Sequence, residues 1–453
     1  MILRTLMPKP GIIPPILSAL PMRITPLSVQ KFHLRFASLF CLRWWLPAAI
    51  LLTCLVVYLF FLPGHHFSID GVVMFQYAKT LLFKHSFIMD PPLLWGSEFR
   101  TSKWPIGLTL LYMPVLALLR ATFFRESSEI TEIPYDPANL FNPALLDNRP
   151  YLYSSWVNPT LTALTAVLVY ALALEIGLSQ RKAVLAALIF GLASPAAVYA
   201  RFDYAQPLAS LLVIGAVVLL LRARRRWSPG TLAAAGIVLG FGVLARPEII
   251  VIPAFPMALL VLWPASSAGP QPGLWGRLKP VMAFSLPLAV FLGINQWINY
   301  SRFGSFLSVG YQPGSEFNLS PLHILPALAG NLISPGRGIL LFFPLSLLAL
   351  PGLWKIWKQD RWLGVLLAAV TLGFLIFYST WKDWGGGISW GPRFLIPALP
   401  YLAILALAFL VSILASDAVI EGMRQWIAHA EDSEEFARLR ERRATLETEI
   451  APL

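Results

Sequence analysis

Long apolar runs joined by short polar links make up most of the chain. The runs at 44–62, 157–176, 183–200, 206–221, 231–246, 248–264, 280–298, 339–355, 362–380 and 394–416 each approach the roughly 20 residues that cross a bilayer as a helix. Their apolarity is continuous rather than alternating, so the pattern predicts helices and not the strands of a membrane barrel. A further run, 105–119 (PIGLTLLYMPVLALL), is short for a crossing and holds Pro105 and Pro114.

The positions of basic residues orient these runs. The N-terminal segment carries Arg4, Lys9, Arg23, Lys31, Arg35 and Arg43, and it is expected inside. The same rule places RARRR (222–226), SQRK (179–182), Arg277 with Lys279, and Lys355, Lys358 and Arg361 inside. All of these hold together only if 105–119 does not cross, so it reads as an interfacial or re-entrant helix. The expected fold is therefore all-α: a polytopic bundle of about ten spans, with amphipathic interfacial helices in a long first outer loop. The divisions are a basic cytoplasmic segment (1–43), a transmembrane domain (44–416) whose outer loop is 63–156, and a charged amphipathic cytoplasmic tail (417–453).

Composition agrees. The chain is 57% hydrophobic and 13% charged, where soluble domains carry about 25% charged residues. The net charge of +12 lies at the ends of apolar runs, which is a topology signal and not a nucleic-acid surface. Cys41 and Cys54 form no C-x-x-C motif. No small-residue cleavage site follows the first run, which reads as an uncleaved span. The tail's Ile420, Met423, Ile427, Phe436, Leu439, Leu446 and Ile450 form a loose helical stripe, read as a solvated helix.

With this threading, the unusual polar residues share the outer face. Asp70 opens an amphipathic stretch, 70–84, that would turn Met74, Tyr77, Ala78, Leu81 and Leu82 to lipid. Asp70 or Ser68 could simply cap that helix, or Asp70 could act as a general base; a helix N-terminus suits both roles. Arg100 and Lys103, in SEFRTSKWPIG, are snorkelling cations or a phosphate clamp. In RFDY, a mutual pair of Arg201 and Asp203 is the favoured reading. Arg246 and Glu248 flank Pro247 so close to the apolar layer that they should face a cavity or each other.

Two late loops complete the set. Arg337 sits between glycines in NLISPGRGIL, where small neighbours admit a ligand to the backbone. In WKDWGGGISWGPR, Asp383, Trp384 and Arg393 surround three glycines. A membrane-interface belt accounts for the tryptophans but not for the glycines, and aromatic faces beside polar groups also suit a sugar ring. His65 and His66 are adjacent, a poor geometry for two ligands on one helix face, and no H-E-x-x-H or Walker motif is present. The motifs assign no metal and no cofactor; an Asp-based divalent cation stays open without a motif to support it.

These features together resemble the bacterial GT-C glycosyltransferases, membrane relatives of protein O-mannosyltransferases and of the aminoarabinose transferases of lipid A. The resemblance rests on the acid after the first span, SKWPIGLTLL, SPGRGILLFFPL and WGGGISWGPRFLIPALP, and covers about 44–416. It implies transfer of a sugar from a polyprenyl-phosphate donor lipid to a glycan, lipid or protein acceptor on the extracytoplasmic face of a bacterial plasma membrane. Asp70 would be the general base, Arg100 and Lys103 would hold the donor phosphate, and Asp203 would match a second outer-loop acid. Two departures stand out. Many relatives carry an acidic pair where Gly71 follows Asp70 here, and many carry a soluble outer domain where this chain has its charged tail. The alternative is a transporter or flippase, which would place charges near the midplane and show internal halves; here the charges lie at outer ends.

Overall fold

The computed structural model describes residues 45–89, 101–128, 131, 149–263, 273–306, 308 and 316–414, with isolated positions in the tail. The chain divides into two compact units, Met1–Ala49 and Ile50–Leu453; the first is described only at 45–49. Arg100 and, apart from those isolated positions, the expected tail helix lie outside the described residues.

The described residues build an all-helical bundle. Helix α1 is Trp45–Phe60. After it come α2 (Ile69–Phe83), α3 (Gly107–Ala121), α4 (Val157–Glu175), α5 (Gln180–Ala193), α6 (Gln206–Arg225), α7 (Pro229–Ala245) and α8 (Ala254–Leu262). The series ends with α9 (Leu274–Phe303), α10 (Pro321–Ile333), α11 (Ala349–Gln359), α12 (Arg361–Ser379) and α13 (Leu399–Leu414). Five helical segments are long and apolar enough to cross a membrane, and α1, α3, α7, α10 and the segment Pro247–Leu262 that ends in α8 are shorter apolar helices.

Local chemistry sets many of the helix starts. The Ser68 hydroxyl accepts from Gly71 N at 2.9 Å and caps α2. Ser228 caps α7 in the same way, with Pro229 in the first turn, where no N–H is needed. Asp360 caps α12 by accepting from Leu363 N at 3.1 Å.

Packing runs through α7, which lies against α6 and α9, while α6 packs on α4 and α4 on α5; α11 joins α12 to α13. Gly236 and Gly240 sit one turn apart on α7 and let α9 close in. A Cβ at 236 would lie 2.0 Å from the Phe284 carbonyl oxygen, the small-residue contact by which membrane helices approach.

Several expectations are corrected. Helix α2 does not turn Met74, Tyr77 and Ala78 to lipid: every residue from Gly71 to Thr80 is buried. Met74, Phe75 and Ala78 pack with Leu108, Tyr112 and Tyr151, and Val72, Val73 and Tyr77 pack on the other side with Ile106, Leu244 and Ile298. A helix apolar on two sides is buried between neighbours. The run 183–200 breaks at Ser194–Pro195 into α5 and a short turn, Ala196–Tyr199. The run 339–355 breaks at Phe343–Pro344, since proline there interrupts the helical hydrogen-bond ladder. The expected loop 299–338 contains α10, and α9 runs beyond its expected ends on both sides.

Candidate active site

The site forms where α2, α6, the α7–α8 turn and the α12–α13 loop meet. Asp70, in the first turn of α2, forms an ion pair with Arg393 through its Oδ2. Arg393 begins the 3₁₀ turn Arg393–Ala398 that leads into α13. The Asp70 side chain keeps 19% exposure and Arg393 keeps 11%, so both can be reached from the bundle end. The Arg393 guanidinium lies 3.9 Å over the Tyr204 ring and also donates to Gly386 O at 3.2 Å. Burial pushes the Tyr204 phenol above its usual pKa, against the opposing pull of Arg393.

Behind this pair runs a polar chain. With its amide oriented by its two cationic neighbours, Gln206 accepts from Arg393 Nε at 3.1 Å and from Arg246 at 3.2 Å. Arg246 in turn pairs with Glu248 at 2.6 Å. Tyr378 closes the cluster by bonding both Arg246 and Glu248, and its ring stacks on Phe394 at 4.2 Å. Arg246 and Glu248, expected to face a cavity or each other, pair with each other.

Asp203 lies against the start of α2 and is fully buried. It does not pair with Arg201, which corrects the reading of RFDY: Arg201 reaches the Phe61 carbonyl at 3.5 Å. Asp203 accepts from His66 Nδ1 at 2.8 Å, from Ser68 Oγ at 2.9 Å and from Phe67 N at 3.3 Å. Burial pushes the His66 imidazole below its usual pKa and outweighs the hydrogen bond to Asp203. Neutral His66 then donates from Nδ1, and its ring stacks on Tyr151 at 3.6 Å. Ser68 caps the helix that carries Asp70, so Asp203 anchors that cap.

Gly71 fits the same contact. A Cβ at position 71 would fall 1.9 Å from the Asp203 carboxylate. The space that a side chain after Asp70 would take is filled by Asp203.

The remaining expected residues are brought in differently. Arg337 donates to the carbonyls of Ser389, Gly387 and Gly391, and to Ser389 Oγ at 3.0 Å. It fastens the loop that holds Gly387, Ser389 and Gly391. Gly386 and Gly387 adopt φ of 76° and 66°, which L side chains rarely take; this turn accounts for two of the three glycines. Trp384 packs on Gly330, where a Cβ would lie 2.2 Å from its ring. Asp383 is exposed and does not join Arg393. Lys103 is half-buried with its ammonium 5.0 Å from the Trp104 ring.

The sequence reading did not single out Arg302. It is buried, donates to Trp104 O at 2.9 Å and lies 5.5 Å over Tyr77. Tyr77 follows Asp70 by two turns of α2, about 10 Å along the axis. Gln206, Tyr204, Tyr378 and His66 were likewise not assigned roles, since each acts through a partner far away in sequence. Among the described residues, no group of three or more His, Cys, Asp or Glu converges as a metal site.

Comparison with known proteins places this architecture. The protein ArnT from Cupriavidus metallidurans, bound to undecaprenyl phosphate, aligns with a TM-score of 0.52 at 15% identity, over 80% of this chain and 59% of that one. The two proteins share a fold. A second structure shares the fold: the archaeal oligosaccharyltransferase AglB from Archaeoglobus fulgidus, in complex with an inhibitory peptide and a dolichol-phosphate. It aligns with a TM-score of 0.51 at 12% identity, over 90% of this chain and 55% of that one. The chain thus spans less than two thirds of either protein. The family model for dolichyl-phosphate-mannose-protein mannosyltransferase matches residues 111–298. No curated protein matches the sequence. The apolar helices described above fit an integral membrane protein.

Proposed function

We propose that this protein is a glycosyltransferase that moves a sugar from a polyprenyl-phosphate donor to a hydroxyl of a glycan, lipid or protein. The observation that carries the reading is the Asp70–Arg393 pair, part exposed at one end of a GT-C bundle. Arg393 holds one carboxylate oxygen and orients Asp70. Asp70 takes the proton of the acceptor hydroxyl as that oxygen bonds to the anomeric carbon. The bond from that carbon to the donor phosphate breaks, and the electron pair leaves with the lipid phosphate. A cation facing that phosphate would stabilise the leaving charge, and an arginine fork matches two of its oxygens; Arg246 and Arg393 are the nearest guanidiniums to Asp70 in the polar chain.

The reading also assigns the site to the extracytoplasmic face. Arg181 and Lys182 open α5, Arg222–Arg226 close α6, Arg277 and Lys279 open α9, and Lys355, Lys358 and Arg361 lie at the α11–α12 junction. The chain path puts all of these at the end opposite Asp70. Basic ends stay inside, so the two termini are cytoplasmic and Asp70 faces out. Sugar donors built on lipid suit that face, because a polar nucleotide sugar does not cross the bilayer unaided.

The test is transfer by purified protein in lipid from radiolabelled polyprenyl-phosphate sugars to an added envelope extract, with Asp70→Asn as the paired control. Label moving only with the native protein supports the assignment. Undiminished transfer by the folded variant removes Asp70 from the mechanism, and no transfer from any such donor removes the activity.

A further inference from the structure

Gln206 opens α6 and is buried. It stands between Arg393, which holds Asp70, and Arg246, which holds Glu248. An amide nitrogen turned toward two guanidiniums would set donor against donor, so the oxygen faces them. It accepts from Arg393 Nε at 3.1 Å and from Arg246 Nη1 at 3.2 Å.

Each guanidinium is held at all three nitrogens. Arg393 gives Nη2 to Asp70, Nη1 to Gly386 O and Nε to Gln206. Arg246 gives Nε to Glu248, Nη2 to the Tyr378 hydroxyl and Nη1 to Gln206. The Phe394 ring lies 5.7 Å from both guanidiniums. Two like charges are thus drawn onto one oxygen and one ring. The two carboxylates, Asp70 and Glu248, balance the two arginines. Because the bridge at 206 is neutral, it competes with neither carboxylate. A carboxylate there would be a third acid between the two cations and would draw Arg393 away from Asp70.

We propose that Gln206 is a positioning residue for sugar transfer: it fastens Arg393 to Arg246, keeps Arg393 on Asp70 before transfer, and leaves the Arg393 charge unclaimed once Asp70 is protonated. The inference rests on Asp70 as the base. The proton passes from the acceptor hydroxyl to Asp70 as the hydroxyl oxygen bonds to the anomeric carbon. The bond from that carbon to the donor phosphate breaks, and its electron pair stays on the phosphate. Protonated Asp70 no longer neutralises Arg393, so the arginine pair gains net positive charge as the phosphate gains negative charge. A neutral amide leaves that charge to act on the phosphate. Glutamate would absorb it, which is the chemical reason for glutamine at this position.

The experiment measures transfer in lipid across the acid and neutral pH range for the native protein, Gln206→Glu, Gln206→Met and Asp70→Asn. Glutamate has the shape of glutamine and would meet two guanidiniums, so Gln206→Glu keeps the fold; thermal midpoints check both variants. The expected result is that Gln206→Glu lowers kcat about 10–100-fold, the scale of a misplaced catalytic group, with a smaller change in KM for the donor. It should also move the acidic limb of kcat/KM up by about one pH unit, since an added negative charge makes the base hold its proton to higher pH. Gln206→Met loses the oxygen but adds no charge, and should lower kcat while moving that limb less. The other groups around the pair, Tyr199, Tyr204, Asp203, Glu248 and Tyr378, are the same in both variants, so the difference reports the charge at 206. A merely structural role would leave the limb unmoved in Gln206→Glu, and that result overturns the proposal. Native kcat in both Gln206 variants overturns it as well. Full transfer by Asp70→Asn overturns it through its base, whatever the Gln206 variants do, and so separates that failure from the other two.

Discussion

Asp70 and Arg393 stand 323 residues apart in the chain and form one ion pair. The first turn of α2 supplies the acid and the turn before α13 supplies the cation. Separating them isolates the acid's role. Asp70→Asn should lower transfer by about 10²–10⁴-fold, the usual contribution of a general base. Arg393→Gln should lower it by less, because the acid stays in place with its orientation loosened. Initial rates against donor concentration check both variants, with helicity in lipid as the fold control.

Gly71 and Asp203 compete for one volume. Gly71→Ala puts a methyl group into the Asp203 carboxylate, and overpacking of this kind costs about 1–3 kcal/mol. Gly71→Ala combined with Asp203→Ala should recover part of that loss relative to the sum of the single variants. Thermal unfolding of the four proteins in one detergent measures the coupling.

His66 gives a pH dependence of defined sign. Its folded pKa lies below the usual 6.5, because burial disfavours the imidazolium. The unfolded chain therefore binds the proton first. The His66 contribution is fully present above pH ~6.5, is lost progressively below it, and levels off once the pH passes the folded pKa. His66→Gln should remove that part of the slope between pH 7 and 5, approximately the window in which histidine titrates. Unfolding midpoints of the two proteins across that range settle the matter.

Two arginines near the site should behave oppositely. Arg246 and Glu248 are 15% and 12% exposed and share Tyr378. Arg246→Ala leaves Glu248 without its counter-charge, which in a buried pair costs about 3–5 kcal/mol. Arg201 makes one long contact to a carbonyl, and Arg201→Ala should change stability by less than about 0.5 kcal/mol. Expression and thermal midpoint of the two variants compare them.

The helical class, the apolar runs and the charges at their ends were legible because charge near lipid is costly and so stands out. Asp70, Arg246 and Arg393 could each be found in that way. The pairing of Asp70 with Arg393 could not, since 323 residues separate them. His66 and Asp203 are 137 residues apart, and no local pattern joins them. Arg201 and Asp203 are near neighbours in sequence, yet the turn after Ala196–Tyr199 sends them to different partners. The stretch 70–84 read as one-sided because Val72 and Val73 were given no neighbours, while the fold packs α2 from both sides. Gly236 and Gly240 did carry a readable signal, G-x-x-x-G on an apolar helix. The helix at Pro321–Ile333 was masked by prolines at its start and in its interior.

The distance between Asp70 and Arg393 also orders events in time. Ribosomes add about 5–20 residues per second, so Asp70 is made about 16–65 s before Arg393 completes the pair. Through that interval the early helix has Ser68 and His66 at hand, while Arg393 and the glycine turn that presents it do not yet exist. Assembly of the pair is thereby tied to delivery of the last apolar segment, and a chain stalled before it carries the acid without its cation.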